Sequence, residues 1–179
     1  RSMTSGVVSG TEGYAEQADT LVGPVDAVRF ADLHRPILHM IPRSPCPVLD
    51  IGAGTGRDAA ALAAMGHQVV AVEPVAELRR HAIALHAAPN IEWLDDSLPH
   101  LAVLLSRGQR FNLVLLTAVW MHLDAAQRRE AMPNLAMLIA DNGLVSMTLR
   151  HGPVPAGRRM FDVTADETTA LAHDAGLQR

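Results

Sequence analysis

The most constraining stretch of this chain is Val48-Leu49-Asp50-Ile51-Gly52-Ala53-Gly54-Thr55-Gly56-Arg57. An apolar run of strand length meets three glycines at alternate positions. It then enters Arg57 to Met65, which is rich in the helix formers Ala and Leu. The glycines let the backbone turn sharply and let a ligand approach without meeting a Cβ atom. Amide groups at a helix start favour a negative ligand group. Gly66 follows the helix and suits the left-handed position after it. A strand, a glycine loop and a helix in this order form the first half of a βαβ unit, which commits the chain to a parallel sheet.

The rest of the sequence repeats that alternation. Further strands are predicted at Gln68 to Val72, Asn90 to Leu94, Phe111 to Leu116 and Leu144 to Leu149, beside the first at Pro47 to Ile51. These runs are nearly continuous in apolar residues, as strands covered on both faces are. Helices are predicted between them. Pro74 to Ala87 opens on a proline and carries Val75, Leu78, Ala82 and Leu85 on one face. Asp124 to Ala140 opens with Asp124 and Gln127 at capping-box spacing, and Pro133 inside it predicts a kink or two shorter helices. Thr164 and Glu167 repeat the capping-box spacing ahead of a helix that Gly176 ends. Val25 to Ile41 reads as one or two helices interrupted at Pro36. The expected fold is α/β: a three-layer, Rossmann-like, open and mostly parallel sheet with helices on both faces. It forms one domain, with a helical lid segment over 1–45 and the core over 46–179. Ligands of such sheets bind at the carboxyl ends of the strands, where strand order switches.

Composition narrows the partners. The 179 residues are 49% hydrophobic and 19% charged, which suits a folded domain with a large core. Net charge is −4 and no basic arm is present, which argues against a nucleic-acid partner. Arg128-Arg129 reads as a solvated helix face. The single cysteine, Cys46, excludes an internal disulfide and a Cys-based metal site; it reads as structural. His34 and His39, like His81 and His86, are five positions apart and share no helix face, so no metal site is expected. No apolar stretch approaches the ~20 residues of a membrane span, and no signal-peptide core precedes the domain, so a cytoplasmic protein is expected.

The glycine loop does not match the dinucleotide fingerprint G-x-G-x-x-G, because Arg57 stands where the last glycine belongs. It reads D-x-G-x-G-x-G, and it lacks the Lys-Ser/Thr ending of a phosphate-binding P-loop. Glu73 ends the second strand about 20 positions beyond Gly52, where an acid accepts hydrogen bonds from ribose hydroxyls. That spacing fits both a nicotinamide dinucleotide and S-adenosylmethionine.

The segment "VLDIGAGTGRDAAALAAMGHQVVAVEP" resembles motif I and the following acidic motif of class I S-adenosylmethionine-dependent methyltransferases. The likeness continues through "IEWLDDSLPHL", "FNLVLLTAVWMHL" and "NGLVSMTLRHGP", roughly Pro47 to Pro153. The resemblance implies S-adenosylmethionine as cofactor, S-adenosylhomocysteine as product, and methyl transfer to an acceptor, with a small molecule as first choice. It implies cofactor contacts at Asp50, Gly52, Ala53, Gly54, Thr55, Gly56 and Arg57 in the loop. After strand two it implies Glu73 and Pro74. After strand three it implies Asp95, Asp96 and Ser97, with the choice between the two acids for adenine left open and a cap or turn role assigned to one of them.

After strand four, Thr117, Ala118, Val119 and Trp120 lie under the cofactor in that family. Trp120 is either an aromatic face for the sulfonium, an attraction of ~0.5–2 kcal/mol, or plain core. His122 is either a general base or a capping and packing residue. Tyr14 is a candidate lid residue by the same resemblance. Two positions depart from the family: Asn112 stands where Asp is common, and Asp141-Asn142-Gly143 where Pro-Gly-Gly is common. The chain also ends at Leu177-Gln178-Arg179, where the family's sixth strand begins. A five-strand sheet lacking the last two strands is therefore expected, with an edge open to pairing. Three other readings stay open: an NAD-dependent oxidoreductase, a non-catalytic S-adenosylmethionine-binding domain, and transfer of another group such as aminopropyl.

Overall fold

The computed structural model describes residues 30–149 and 156–179. Tyr14, the lid segment up to position 29 and the end of the motif at Pro153 lie outside the described residues. The elements in order are α1 (Phe30–Leu33), a 3₁₀ turn (Arg35–Met40), β1 (Pro47–Ile51), α2 (Arg57–Ala64), β2 (Gln68–Val72), α3 (Ala76–Leu85), β3 (Ile91–Leu94), α4 (Ala102–Arg107), β4 (Phe111–Thr117), a 3₁₀ turn (Trp120–His122), α5 (Ala125–Leu138), β5 (Ile139–Thr148) and α6 (Ala165–Asp174). Five parallel strands form one open sheet in the order β3-β2-β1-β4-β5. β5 is an edge strand.

Strand alternation sends β1 side chains to two separate cores. Val48 packs with Phe30, Ala59, Leu62, Val69, Ala71 and Leu115. Leu49 and Ile51 pack on the opposite face with Phe111, Val114, Leu135 and Leu138. Both faces are covered, which is why these strands read as unbroken apolar runs.

Register sets the site. Ile51 pairs with Val72 and with Leu116, and Val72 pairs with Leu94. The next residues along each strand, Gly52, Glu73, Asp95 and Thr117, therefore emerge at one end of the sheet. The chain runs from β1 out to β3 on one side and returns through β4 on the other, so the switch point lies between β1 and β4.

Several local expectations need correction. α3 begins at Ala76 with Val75 as its cap, so Pro74 precedes the helix. The reason is that the Glu73 carboxylate takes the Val75 N–H at 2.8 Å and holds this turn extended. Leu85 is half exposed rather than on the buried face. Pro133 splits nothing: α5 is one helix, closed at its start by the full Asp124–Gln127 capping box. Thr164 caps α6 by accepting from Glu167 N, but the Glu167 side chain turns to Arg128 instead of completing the box. Arg128 is accordingly buried and only Arg129 belongs to a solvated face. Pro36 sits in the first turn of the 3₁₀ segment and starts it rather than interrupting a helix. β5 begins five residues earlier than predicted, at Ile139, because the Asp141-Asn142-Gly143 turn is absorbed as an irregularity in its pairing with β4.

Candidate functional site

The glycine loop spends its amides on the protein itself. Gly52 and Ala53 both donate to Val72 O, at 2.8 and 2.9 Å, and Gly56 donates to Ala53 O at 2.9 Å. Gly54 donates to Glu73 Oε1 at 2.9 Å. Gly52, Gly54 and Gly56 all have positive φ, at 71, 58 and 85°. They are required for different reasons. A Cβ on Gly52 would overlap a Val119 methyl, and one on Gly56 would press on His86 and Trp93 at 3.1 Å. A Cβ on Gly54 would meet only Gly52 O, at 4.0 Å, so this glycine opens onto free space.

Glu73 is buried beside that space. Burial pushes its carboxyl up to about 6, against the Val75 and Gly54 N–H groups, which favour the charged form. Each carboxylate oxygen accepts one of those hydrogen bonds and keeps a second lone pair for a ligand hydroxyl. Arg79, which the sequence did not mark, donates to the Glu73 carbonyl and lies 3.8 Å from Asp95. The two adjacent acids part here. Asp96 takes Ser97 N on one oxygen and Leu104 N on the other, both at 2.9 Å, and so ties the loop to α4. Asp95 is 70% exposed.

A second cluster of carboxylates lies on the α2 side of the loop. Asp50 is buried on β1 and accepts the Ala59 N–H, so it caps α2, whose own cap residue Gly56 has no side chain. Its Oδ2 is buried without a hydrogen-bond partner. Burial, and next the Asp58 charge, hold its carboxyl well above the usual range. Asp58 behaves oppositely. Burial pushes it up, but hydrogen bonds from His34 and Thr117 and the Arg57 charge outweigh that and hold it below its ordinary value. Its Oδ2 receives His34 Nε2 at 2.9 Å and Thr117 Oγ1 at 2.6 Å, and its Oδ1 receives Arg57 Nε at 3.0 Å. Neither Asp58 nor His34 stood out in the sequence. The one local signal was an acid in the first turn of a helix, which ordinarily reads as a dipole partner.

The segment after β4 completes the arrangement. Ala118 adopts φ 55°, uncommon for a residue with a Cβ, and donates its N–H to Thr148 Oγ1 at 2.8 Å. Val119 packs on Gly52. Trp120 is fully buried, in the core cluster that holds Leu98, Leu101 and Met132. His122 is buried with Nδ1 2.9 Å from the Arg159 carbonyl. A carbonyl only accepts, so Nδ1 carries the hydrogen and Nε2 is the basic nitrogen of the neutral ring. Among the described residues no cluster of His, Cys, Asp and Glu is arranged to hold a metal.

Fold and site together define a Rossmann-like domain that presents carboxylates, rather than free amides, around a glycine loop. The chain belongs to the methyltransferase domain family, whose pattern matches residues 48–143, and it has the class I S-adenosylmethionine-dependent methyltransferase fold. Among solved structures, a TehB-like S-adenosylmethionine-dependent methyltransferase from Corynebacterium glutamicum is 21% identical with a TM-score of 0.66, over 90% of this chain and 80% of that one. The CcbJ methyltransferase from Streptomyces caelestis is 18% identical with a TM-score of 0.70, over 94% and 87%. The N-methyltransferase NodS from Bradyrhizobium japonicum, in complex with S-adenosylhomocysteine, is 16% identical with a TM-score of 0.62, over 76% and 72%. Against three longer structures the chain spans 55, 52 and 51% of their length. A search of curated proteins found no match.

Proposed function

We propose that this protein transfers a methyl group from S-adenosylmethionine to a small-molecule acceptor. The observation that carries the reading is the state of the glycine loop. Four of its amides are already bonded within the protein, and Glu73, Asp50 and Asp58 surround it. A diphosphate would meet spent donors and three carboxyl groups, which disfavours a dinucleotide. A ligand with ribose hydroxyls and cationic groups suits the same surroundings. Open space beside Gly54 and the unpartnered Asp50 Oδ2 fit that ligand as well.

The residues divide the work. Glu73 accepts from the ribose hydroxyls. Asp95 rather than Asp96 faces the adenine, because Asp96 is turned to the Leu104 N–H at the start of α4 whereas Asp95 is 70% exposed. Asp50 Oδ2 faces the ammonium of the methionine part, and Gly52 to Gly54 let it pass close to the backbone. The bound cofactor supplies an already activated methyl on a sulfonium, so the protein's main tasks are alignment and exclusion of water. His122 is the candidate general base for an acceptor that must lose a proton, through Nε2. Trp120 contributes core packing to this site.

Titration calorimetry with S-adenosylhomocysteine, run in parallel with NAD, tests the reading. Saturable binding of S-adenosylhomocysteine and not NAD, weakened by Glu73→Ala and Gly54→Val, supports it. Binding of NAD alone overturns it.

A further inference from the structure

We infer that Asp58 is a positioning residue, which through Thr117 sets the loop after β4 against the glycine loop, with His34 holding Asp58 in place. The inference rests on the cofactor reading above. An acid that served only the helix dipole would sit in solvent. Asp58 is instead 4% exposed and receives its helix neighbour Arg57 together with two donors from distant parts of the fold. His34 follows α1, Arg57 opens α2, and Thr117 is the last residue of β4. Burying a charge is costly unless it is hydrogen-bonded, and here it receives three such bonds.

What Thr117 carries makes the link consequential. The next residue, Ala118, is held at φ 55° with its N–H on Thr148, and the one after it, Val119, fills the space above Gly52. The segment from Thr117 to Val119 is thus pinned by Asp58 at one end and Thr148 in the middle. Its far end rests on the glycine that must admit the cofactor. Releasing the Thr117 hydroxyl frees Val119 to shift over Gly52. Asp58 keeps His34 and Arg57 after that release, so the fold retains its buried charge network.

Thr117→Val is the direct test, with Thr117→Ser as the conservative rescue. Loss of one hydrogen bond to a buried charge predicts about tenfold weaker S-adenosylhomocysteine binding by calorimetry. Thr117→Ser restores wild-type affinity. In the unliganded protein, hydrogen exchange of the amides from Ala118 to His122 is faster in Thr117→Val and normal in Thr117→Ser. Thr117→Ala reads the same link with a smaller side chain should Val fail to fold. Affinity and exchange both at wild-type values in Thr117→Val overturn the inference while leaving the cofactor reading intact. A wild-type protein that binds no S-adenosylhomocysteine overturns the cofactor reading first and the inference with it.

Discussion

Glu73 shows how one residue ties stability to ligand binding. Burial raises its carboxyl from an ordinary 4.5 to about 6, so the unliganded fold holds this proton more tightly than the unfolded chain does. Its contribution to stability is present below pH about 4.5 and is lost as pH rises through about 6. Ligand binding has the opposite sign, because ribose hydroxyls donate to the carboxylate. The affinity for S-adenosylhomocysteine is therefore expected to fall as pH drops below about 6. In Glu73→Gln, calorimetry across that range should show weaker binding with the pH dependence flattened. A wild-type affinity that does not change between pH 5 and 8 counts against Glu73 as the ribose acid. The glycines separate two causes at the same scale. Gly52→Ala meets both a left-handed φ and the Val119 methyl, whereas Gly54→Ala meets only the φ. Gly52→Ala should cost ~1–3 kcal/mol of folding stability from overpacking beyond the backbone strain the two share. Paired denaturant titrations measure the difference.

Between elements, the contacts that matter most join segments far apart in sequence. Arg128 on α5 reaches the Leu123 carbonyl and Glu167 on α6, and it is almost wholly buried. Arg128→Ala removes a buried charged group from two partners and should destabilise the protein by ~2–4 kcal/mol. Glu167→Gln should cost less, since the amide keeps an acceptor oxygen for the Arg128 guanidinium and position 167 is 38% exposed. Equal losses in urea melts of the two variants would contradict this account. Gly176 closes α6 as expected: Leu177 N bonds Ala172 O, Gly176 N bonds His173 O, and φ is 90°. Local rules were legible at such ends because they involve only neighbouring backbone groups. The cap of α2 was not, because its carboxylate comes from Asp50 on the preceding strand.

For the whole molecule, the parallel register makes the ligand site a property of the sheet rather than of any loop. A ligand bound there stabilises the folded state by mass action. At a concentration ~100 times its dissociation constant, S-adenosylhomocysteine should add ~2.7 kcal/mol. For a domain of this size that is a rise in melting temperature of ~5–10 °C. NAD at the same concentration should give none, and a comparable shift with NAD would reopen the oxidoreductase reading. Among the described residues, five parallel strands leave β3 and β5 on the two edges of the sheet. No helix among the described residues is long and apolar enough to cross a membrane.

The strands, the glycine loop and Glu73 were readable in advance because each is written locally: apolar runs for buried strands, glycine where φ turns positive, an acid at a strand end. So was the family likeness, which rests on the same residues. The roles of neighbouring acids were not readable. Asp95 and Asp96 are identical in chemistry, and only the approach of α4 makes one a cap and leaves the other to solvent. The meeting of His34, Asp58 and Thr117 spans 24 and 59 positions of sequence. Hydrogen bonding at that range depends on where the sheet carries each residue, and only the packed fold brings two such distant groups, His34 and Thr117, within 3 Å of one buried Asp58 oxygen.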